Sequence, residues 1–383
     1  MLTRNIIKSI NELKKQFPIV AITGPRQSGK TTLLKEAFPG YEYISLENPD
    51  ILEYANRDTK GFLEVFNNHV IFDEAQRCPK LFSYLQTKVD SRKEMGQFVL
   101  SGSQNFHLMQ SITQSLSGRV ALFKLLPFDF QELKNGNLFP KTYQEAIYKG
   151  FYPAIYDRNI KPQNYHNSYI QTYVERDISD VLQVRDIKQF RDFVKICAGR
   201  VGQILNINSL AKDCGISQPT AKSWLSLLEN SYIVFLLQPF YNNFNKRVLK
   251  TPKLYFYDTG LASFLLGIRS AKDVDSHTMK GGLFENLIIA ELVKQNHHYY
   301  QLKEYWYWRD SNGNEIDLLC ENKEKHDIFE IKATKTIMSD LFKGLDHFES
   351  TAGKEFVKNK ILAYGGEENQ KRTKYTIKSW SQV

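Results

Sequence analysis

The chain has 383 residues, 42% of them hydrophobic, and a formal net charge of +9. That length exceeds one ordinary core and predicts several domains, roughly two to four. No apolar run is long enough to cross a bilayer, and no apolar signal core stands at the start, which predicts a cytoplasmic protein without a membrane partner. The excess of Lys and Arg over acids favours a polyanionic partner, nucleic acid first. Cys78, Cys197, Cys214 and Cys320 have neither metal nor disulfide spacing and read as reduced, partly buried thiols.

In chain order, residues 1–15 form an amphipathic helix candidate. Phe17-Pro-Ile-Val-Ala-Ile-Thr23 is a short apolar strand candidate, and Thr32-Leu-Leu-Lys-Glu-Ala-Phe38 has helical spacing. Between them stands Gly24-Pro25-Arg26-Gln27-Ser28-Gly29-Lys30-Thr31-Thr32. This is G-x-x-x-x-G-K-T in a strand–loop–helix setting, which is what a phosphate-binding loop requires. Gly24 and Gly29 let the backbone curl so that its N–H groups face phosphate oxygens, and the following helix adds partial positive charge there. The loop as a whole, Gly24 to Thr32, is therefore the expected ATP site. Lys30 is expected to reach the β- and γ-phosphates, and the Thr31 hydroxyl to ligate Mg²⁺.

Up to about residue 125 strands and helices alternate, which predicts an α/β fold with a parallel sheet. Expected strands are Ile19–Thr23, Tyr43–Leu46, Val70–Phe72, Phe98–Leu100 and Val120–Leu125. The third runs into Asp73 and Glu74, two acids at the strand edge where ligands of open α/β sheets bind. Asp73 is expected in the magnesium shell, and Glu74 is expected to activate the attacking water. The fourth ends in Leu-Ser101-Gly-Ser103-Gln, where Ser101 or Ser103 is placed to touch the γ-phosphate; an ordinary Ser/Gly turn is the alternative. Arg119, before the last strand, is a transition-state stabiliser in cis or, across an oligomer interface, in trans; a surface arginine is the alternative.

The stretches Gly24–Thr32, Ile71-Phe-Asp-Glu-Ala-Gln76, Leu100-Ser-Gly-Ser103 and Leu116-Ser-Gly-Arg-Val120 resemble a prokaryotic AAA+-type P-loop ATPase family. Later stretches extend the likeness over nearly the whole chain: Tyr173-Val-Glu-Arg-Asp177, Lys253-Leu-Tyr-Phe-Tyr-Asp-Thr-Gly-Leu261 and Gly282-Leu-Phe-Glu285. Members carry a C-terminal domain of unknown function. The resemblance implies a five-stranded P-loop core with the added strand between the Walker strands, a helical lid, a winged helix and a nuclease-like end domain.

From Pro127 to about Asp180 the periodicity is helical and aromatic-rich, which reads as the lid over the nucleotide; Arg176 is expected in a salt bridge with Asp177, with reaching the nucleotide from the lid as the alternative. Ser209-Leu-Ala-Lys-Asp-Cys-Gly215 and Gln218–Asn230 read as two helices joined by a short turn. Ala221, Trp224, Leu225 and Leu228 share one face of the second, leaving Thr220 and Lys222 outward. A basic hairpin, Tyr241–Lys250, follows between two β-prone runs. Helix–turn–helix plus wing is a duplex-binding arrangement, in which Thr220 and Lys222 approach the groove and Lys246 and Arg247 touch phosphates. A packing or protein-contact module is the alternative.

Near Lys280 the pattern changes again. Glu285 lies on the apolar face of a helix, where a carboxylate is costly unless a cation or donor meets it. Glu315-Ile-Asp317-Leu-Leu319 and Ile328-Phe-Glu330-Ile-Lys332 read as strands with their polar residues on one face. Helix Glu, strand Asp, strand Glu-x-Lys resembles the PD-(D/E)XK nuclease core. Asp317, Glu330 and Glu285 offer hard oxygen donors for Mg²⁺ or Mn²⁺, and Lys332 can position the attacking water.

The expected organisation is 1–126 ATPase core, 127–185 lid, 186–265 winged helix and 266–383 restriction-endonuclease-like α/β domain. The expected function is Mg²⁺-dependent ATP hydrolysis coupled to DNA binding and DNA cleavage. The rival is an ATP-driven signalling switch, without cleavage, whose C-terminal half contacts protein partners. A third reading keeps the nuclease and lets ATP only gate it.

Overall fold

The computed structural model describes residues 2–103, 105–174, 187–241 and 251–383. Arg176, Lys246 and Arg247 lie outside the described residues. The chain divides into two compact units. The first contains Met1–Phe128, Asn230–Tyr232 and Lys294–Gln301; the second contains Asp129–Glu229, Ile233–Val293 and Leu302–Val383.

The first unit is built on five strands: β1 (Ile19–Thr23), β2 (Glu42–Ser45), β3 (Val70–Asp73), β4 (Phe98–Gly102) and β5 (Val120–Lys124). All neighbours pair in parallel, in the order β2-β3-β4-β1-β5. The expected strands are all present, their ends shifted by one or two residues. β4 separates β1 from β3, as the resemblance implies. β1 is buried along its whole length, because a parallel strand covered on both faces must be apolar on both. Ala21, Phe72, Leu85 and Leu100 contribute to one core, and Val20, Ile22, Leu33 and Phe123 to another. Helices α1 (Ile7–Leu13), α2 (Lys30–Ala37) and α3 (Pro79–Arg92) belong to this unit. Register pairs Thr23 with Gly102 and Phe72 with Leu100, so the loops after β1, β3 and β4 leave from one edge of the sheet.

The second unit opens with short helices α4 (Phe130–Asn135), α5 (Tyr143–Lys149), α6 (Pro153–Asp157) and α7 (Pro162–Tyr169), in the segment where helices were expected. Asp129 and Glu132 close a reciprocal capping box on α4, satisfying donors that a helix start leaves unpaired. After α8 (Ile187–Ala198) come α9 (Ile207–Cys214) and α10 (Gln218–Asn230). Asn206 caps α9 by accepting from the Ser209 N–H at 3.0 Å, and Gly215 ends it at φ 65°, a left-handed stop that glycine makes without strain. Ala221, Trp224, Leu225 and Leu228 are buried and Lys222 is exposed, the facing expected of α10.

The remaining strands are β6 (Val234–Pro239), β7 (Lys253–Phe256), β8 (Tyr305–Arg309), β9 (Glu315–Asn322), β10 (Lys325–Lys332), β11 (Val357–Tyr364), β12 (Gln370–Lys371) and β13 (Thr376–Ser379). They form one mixed sheet, β12-β13-β11-β10-β9-β8-β6-β7. The hairpin β6–β7 is thus continuous with the C-terminal strands through the parallel pair β6–β8, a joining that local sequence patterns do not reveal. Helix α11 (Lys280–His298) precedes β8, and α12 (Lys343–Ala352) packs on β9–β11 over a core of Trp308, Leu345, Phe348 and Leu362. Cys78, Cys197 and Cys320 are buried and Cys214 is half-buried, all as free thiols. Among the described residues no helix is long and apolar enough to cross a membrane.

Phe72, wholly buried, contacts Phe98 and Phe62 at ring separations of 6.0 and 5.8 Å. We expect Phe72→Ala to destabilise the first unit by about 3–5 kcal/mol, read by chemical denaturation; a loss below about 1 kcal/mol would mean that this core is not close-packed.

Candidate nucleotide site and carboxylate centre

In the first unit the chain turns sharply after β1. Gly24 sits at φ 149°, and a Cβ there would overlap the Leu125 carbonyl oxygen, so no larger residue fits. Gly29 takes φ 94° and starts α2. Pro25 and Ser28 are buried, Arg26 and Gly29 half-buried, and Gln27, Thr31 and Thr32 exposed. Ser28 Oγ is buried with no hydrogen-bond partner, an orphan polar atom of the kind a bound anion satisfies. The Lys30 ammonium donates to the Gly24 and Pro25 carbonyls, each at 2.9 Å. Burial lowers its pKa to about 8, against the opposing pull of Glu74 and Asp73.

Asp73, 7% exposed, is the best-held acid of this edge. Its Oδ2 accepts from Thr31 Oγ1 at 3.3 Å and from the Tyr43 hydroxyl. Its Oδ1 accepts from Ser101 Oγ and from the Glu74 N–H at 3.1 Å. Burial and then Asp73 itself hold the Tyr43 phenol well above its ordinary range, so Tyr43 is a fixed donor at any ordinary pH. Glu74 stands at φ 53°. Its Oε2 accepts from Gln76 Nε2, and from the Ser103 N–H and Oγ at 3.4 and 3.3 Å. The two serines therefore divide the work, Ser101 on Asp73 and Ser103 on Glu74.

Arg119 is not gathered into this edge. It makes a two-pronged ion pair with Asp90 of α3, Nε–Oδ1 2.6 Å and Nη2–Oδ2 2.8 Å. Conversely, sequence reasoning missed Arg4. This residue, 5% exposed, donates from Nη1 to the Ser28 carbonyl at 2.8 Å and from Nη2 to the Leu126 carbonyl at 2.6 Å. It lies over the Phe128 ring and 3.5 Å from His298 Nε2. A buried guanidinium this far upstream carries no sequence motif; only the fold reveals that it braces the phosphate loop. Tyr43 escapes sequence reading for a similar reason, since its partner Asp73 lies on another strand.

In the second unit, Glu285 (α11), Glu315 and Asp317 (β9) each offer one carboxylate oxygen, and these oxygens lie within 4.8 Å of one another. Asp317, 6% exposed, accepts from the Ile331 N–H at 2.7 Å and from Lys332 Nζ at 3.3 Å. Lys332 also meets Glu330 Oε1 at 2.5 Å. The four residues expected together are thus together, and two more join them. Glu315 enters the cluster, and Lys253 on β7 donates to Glu285 at 3.0 Å and to Glu315. Burial and then Asp317 hold both Glu285 and Glu330 above the usual carboxylate range. Burial opposes the charge on Lys253 and Lys332, but the surrounding carboxylates raise both above the usual lysine range. Thr220 shares a 2.8 Å hydrogen bond with Ser217 at the start of α10, and Lys222 stands exposed two residues further on.

Comparison with known proteins follows this division. Residues 16–134 match an AAA domain, residues 140–272 a domain of unknown function (DUF8612), and residues 280–382 another (DUF4143). Uncharacterized protein Rv2008c of Mycobacterium tuberculosis is 30% identical over 324 residues, covering 83% of this chain and 71% of its own. The chain belongs to its family. Mb2031c of Mycobacterium bovis, also named as uncharacterized, matches this family member equally, at 30% over 324 residues. Among solved structures, the Walker-type ATPase PABY2304 of Pyrococcus abyssi is similar at 16% identity and TM-score 0.44, covering 68% of this chain and 94% of that one. By its match to an AAA domain over residues 16–134, the first unit of this family member carries an AAA-type P-loop ATPase domain.

Removing the brace should be felt at the loop. Arg4→Met is expected to weaken nucleotide binding about tenfold, about 1.4 kcal/mol, in a titration with a fluorescent ATP analogue. Unchanged affinity in a folded variant would show that the loop holds its shape alone. Because the buried ammonium releases its proton near pH 8, affinity should also fall as pH rises through that value. Stability runs the other way: folded Lys30 holds fewer protons than unfolded Lys30 between pH 8 and its ordinary 10.5, so that contribution rises with pH across this window.

Proposed function

We propose that this chain is a Mg²⁺-dependent ATPase whose nucleotide cycle drives a C-terminal half that binds and cuts DNA. The observation that carries the ATPase reading is the convergence of Thr31, Tyr43 and Ser101 on Asp73 beside a Gly24–Lys30 loop whose cradle excludes a Cβ and whose Ser28 hydroxyl lacks a partner. Those features fit a nucleotide and its metal. The loop from Gly24 to Thr32 would hold the phosphates, and Thr31 and Asp73 the Mg²⁺. When bound, the metal would neutralise charge on the phosphate oxygens.

The chain's own residues supply the rest. Lys30, drawn off the Gly24 and Pro25 carbonyls, contributes a cation at the developing charge. Glu74 orients the attacking water and takes its proton, while Ser103 and Gln76 hold the carboxylate that does so. Arg119, engaged by Asp90 within its own unit, serves in this reading only in trans, in a homo-oligomer.

The DNA reading rests on the α9–α10 pair with Lys222 outward, on the net charge of +9, and on Glu285, Asp317, Glu330 and Lys332 standing together. Hard oxygen donors with an adjacent ammonium suit Mg²⁺ or Mn²⁺. Asp317 and Glu330, with Glu285 behind them, would hold the metal, and Lys332 would position the water in a PD-(D/E)XK manner.

Glu74→Gln should lower phosphate release from ATP about 10²-fold or more while ATP binding persists, and Lys30→Ala should lose both. Equal turnover in wild type and Glu74→Gln would refute the assignment of the base. For the second half, labelled duplex, single-stranded and branched DNA are incubated with Mg²⁺ or Mn²⁺, with and without ATP. Cleavage that disappears in both Asp317→Ala and Lys332→Ala supports the reading. Binding without cleavage would reduce the C-terminal half to a binding module, and neither would favour a protein-contacting switch.

A further inference from the structure

Lys253 is a lysine on a strand that is buried along its whole length. It lies on β7 and is 2% exposed. Its ammonium donates to Glu285 Oε1 at 3.0 Å and to Glu315 Oε1, with the Tyr307 ring centroid 5.4 Å away. Tyr255, two residues on and so on the same face of β7, donates its hydroxyl to the same Glu285 oxygen. Arg309 Nη1 meets the other Glu315 oxygen at 3.1 Å. On the far side Lys332 covers Asp317 and Glu330. The carboxylates that would hold a divalent cation therefore already meet an ammonium.

A buried carboxylate cluster needs neutralising charge, and removing one partner of such a pair is costly. A lysine on a flexible four-carbon stem supplies that charge without a metal, and unlike a backbone donor it can swing away. A divalent cation brought to the same carboxylates would be repelled by that ammonium, so each weakens the other's hold.

We propose that Lys253 is the resident counter-ion of this centre, and that a divalent metal enters only by displacing its ammonium from Glu285 and Glu315. This rests on the metal-centre reading given above and adds how the centre is controlled. By linkage, whatever withdraws Lys253 raises metal affinity, and metal raises the tendency of Lys253 to leave. Lys253 pairs in register with Leu237 of β6, so the lever belongs to the hairpin that follows α10.

The test uses Mn²⁺ alone as probe, without nucleotide, on the full chain. Every protein carries Asp73→Asn, so that the phosphate-loop edge lacks its metal carboxylate. Free Mn²⁺ is read by electron paramagnetic resonance. Lys253→Met is expected to bind one Mn²⁺ at least tenfold more tightly than the parent, and adding Asp317→Asn should abolish the gain. Equal, Asp317-dependent binding with and without Lys253 would overturn the counter-ion role and leave the metal centre standing. Absence of Asp317-dependent binding in both would overturn the metal centre, and the proposal with it. Should Lys253→Met not fold, amine acylation of the parent followed by peptide mass spectrometry decides. Labelling of Lys253 should rise at least fivefold with saturating Mn²⁺; unchanged labelling with Mn²⁺ bound overturns the proposal.

Discussion

A carboxylate buried at the end of a parallel strand has to be met by donors, and Asp73 is where the first unit answers that requirement. Four donors reach it from four places in the chain: Thr31 after the phosphate loop, Tyr43 from β2, Ser101 from β4 and the backbone of Glu74. The order β2-β3-β4-β1-β5 makes this meeting available, because β3 lies between β2 and β4 while β1 is one strand further on. The fixed acid in turn fixes its neighbour. Glu74 follows at a left-handed backbone position and is steadied by Ser103 and Gln76. Two adjacent acids are thereby held by separate partners, which is what distinct roles need.

The second unit poses the same electrostatic problem and answers it differently. Glu285, Glu315, Asp317 and Glu330 are brought together by a helix and two antiparallel strands. Lys253 and Lys332 between them meet all four, with the Tyr255 hydroxyl also on Glu285 and Arg309 on Glu315. Ammonium groups satisfy this cluster, and in the proposed reading one of them, Lys253, gives way to a cation of higher charge while Lys332 stays. That difference separates a site organised around a permanent hydrogen-bond net from one poised between two counter-ions.

The parts legible in the sequence were those whose chemistry is local. Gly24 to Thr32 declared itself because loop, strand and helix are contiguous, and Asp73-Glu74 because an apolar strand ends in acids. Asp317, Glu330 and Lys332 could be grouped because alternation names the strand face, and Glu285 stood out as a carboxylate on the apolar face of a helix. What stayed hidden depends on distant partners. Arg4 reaches Ser28 and Leu126 only in the fold, and Asp90 meets Arg119 from a helix whose surface pattern gives no hint of it. Lys253 opens a β-prone run, and nothing near it in sequence points to Glu285 and Glu315, which it meets in the fold. The joining of β6 to β8 was likewise beyond local pattern.

The account turns on Asp73 serving the nucleotide's metal and not merely the packing of the sheet edge. The direct measurement is ATP turnover and ATP binding in wild type and Asp73→Asn, a change that keeps size and leaves one oxygen to accept. We predict that Asp73→Asn loses Mg²⁺-dependent turnover while ATP binding measured in EDTA is retained. Turnover at the wild-type rate, with the same Mg²⁺ dependence, would contradict the account at its centre.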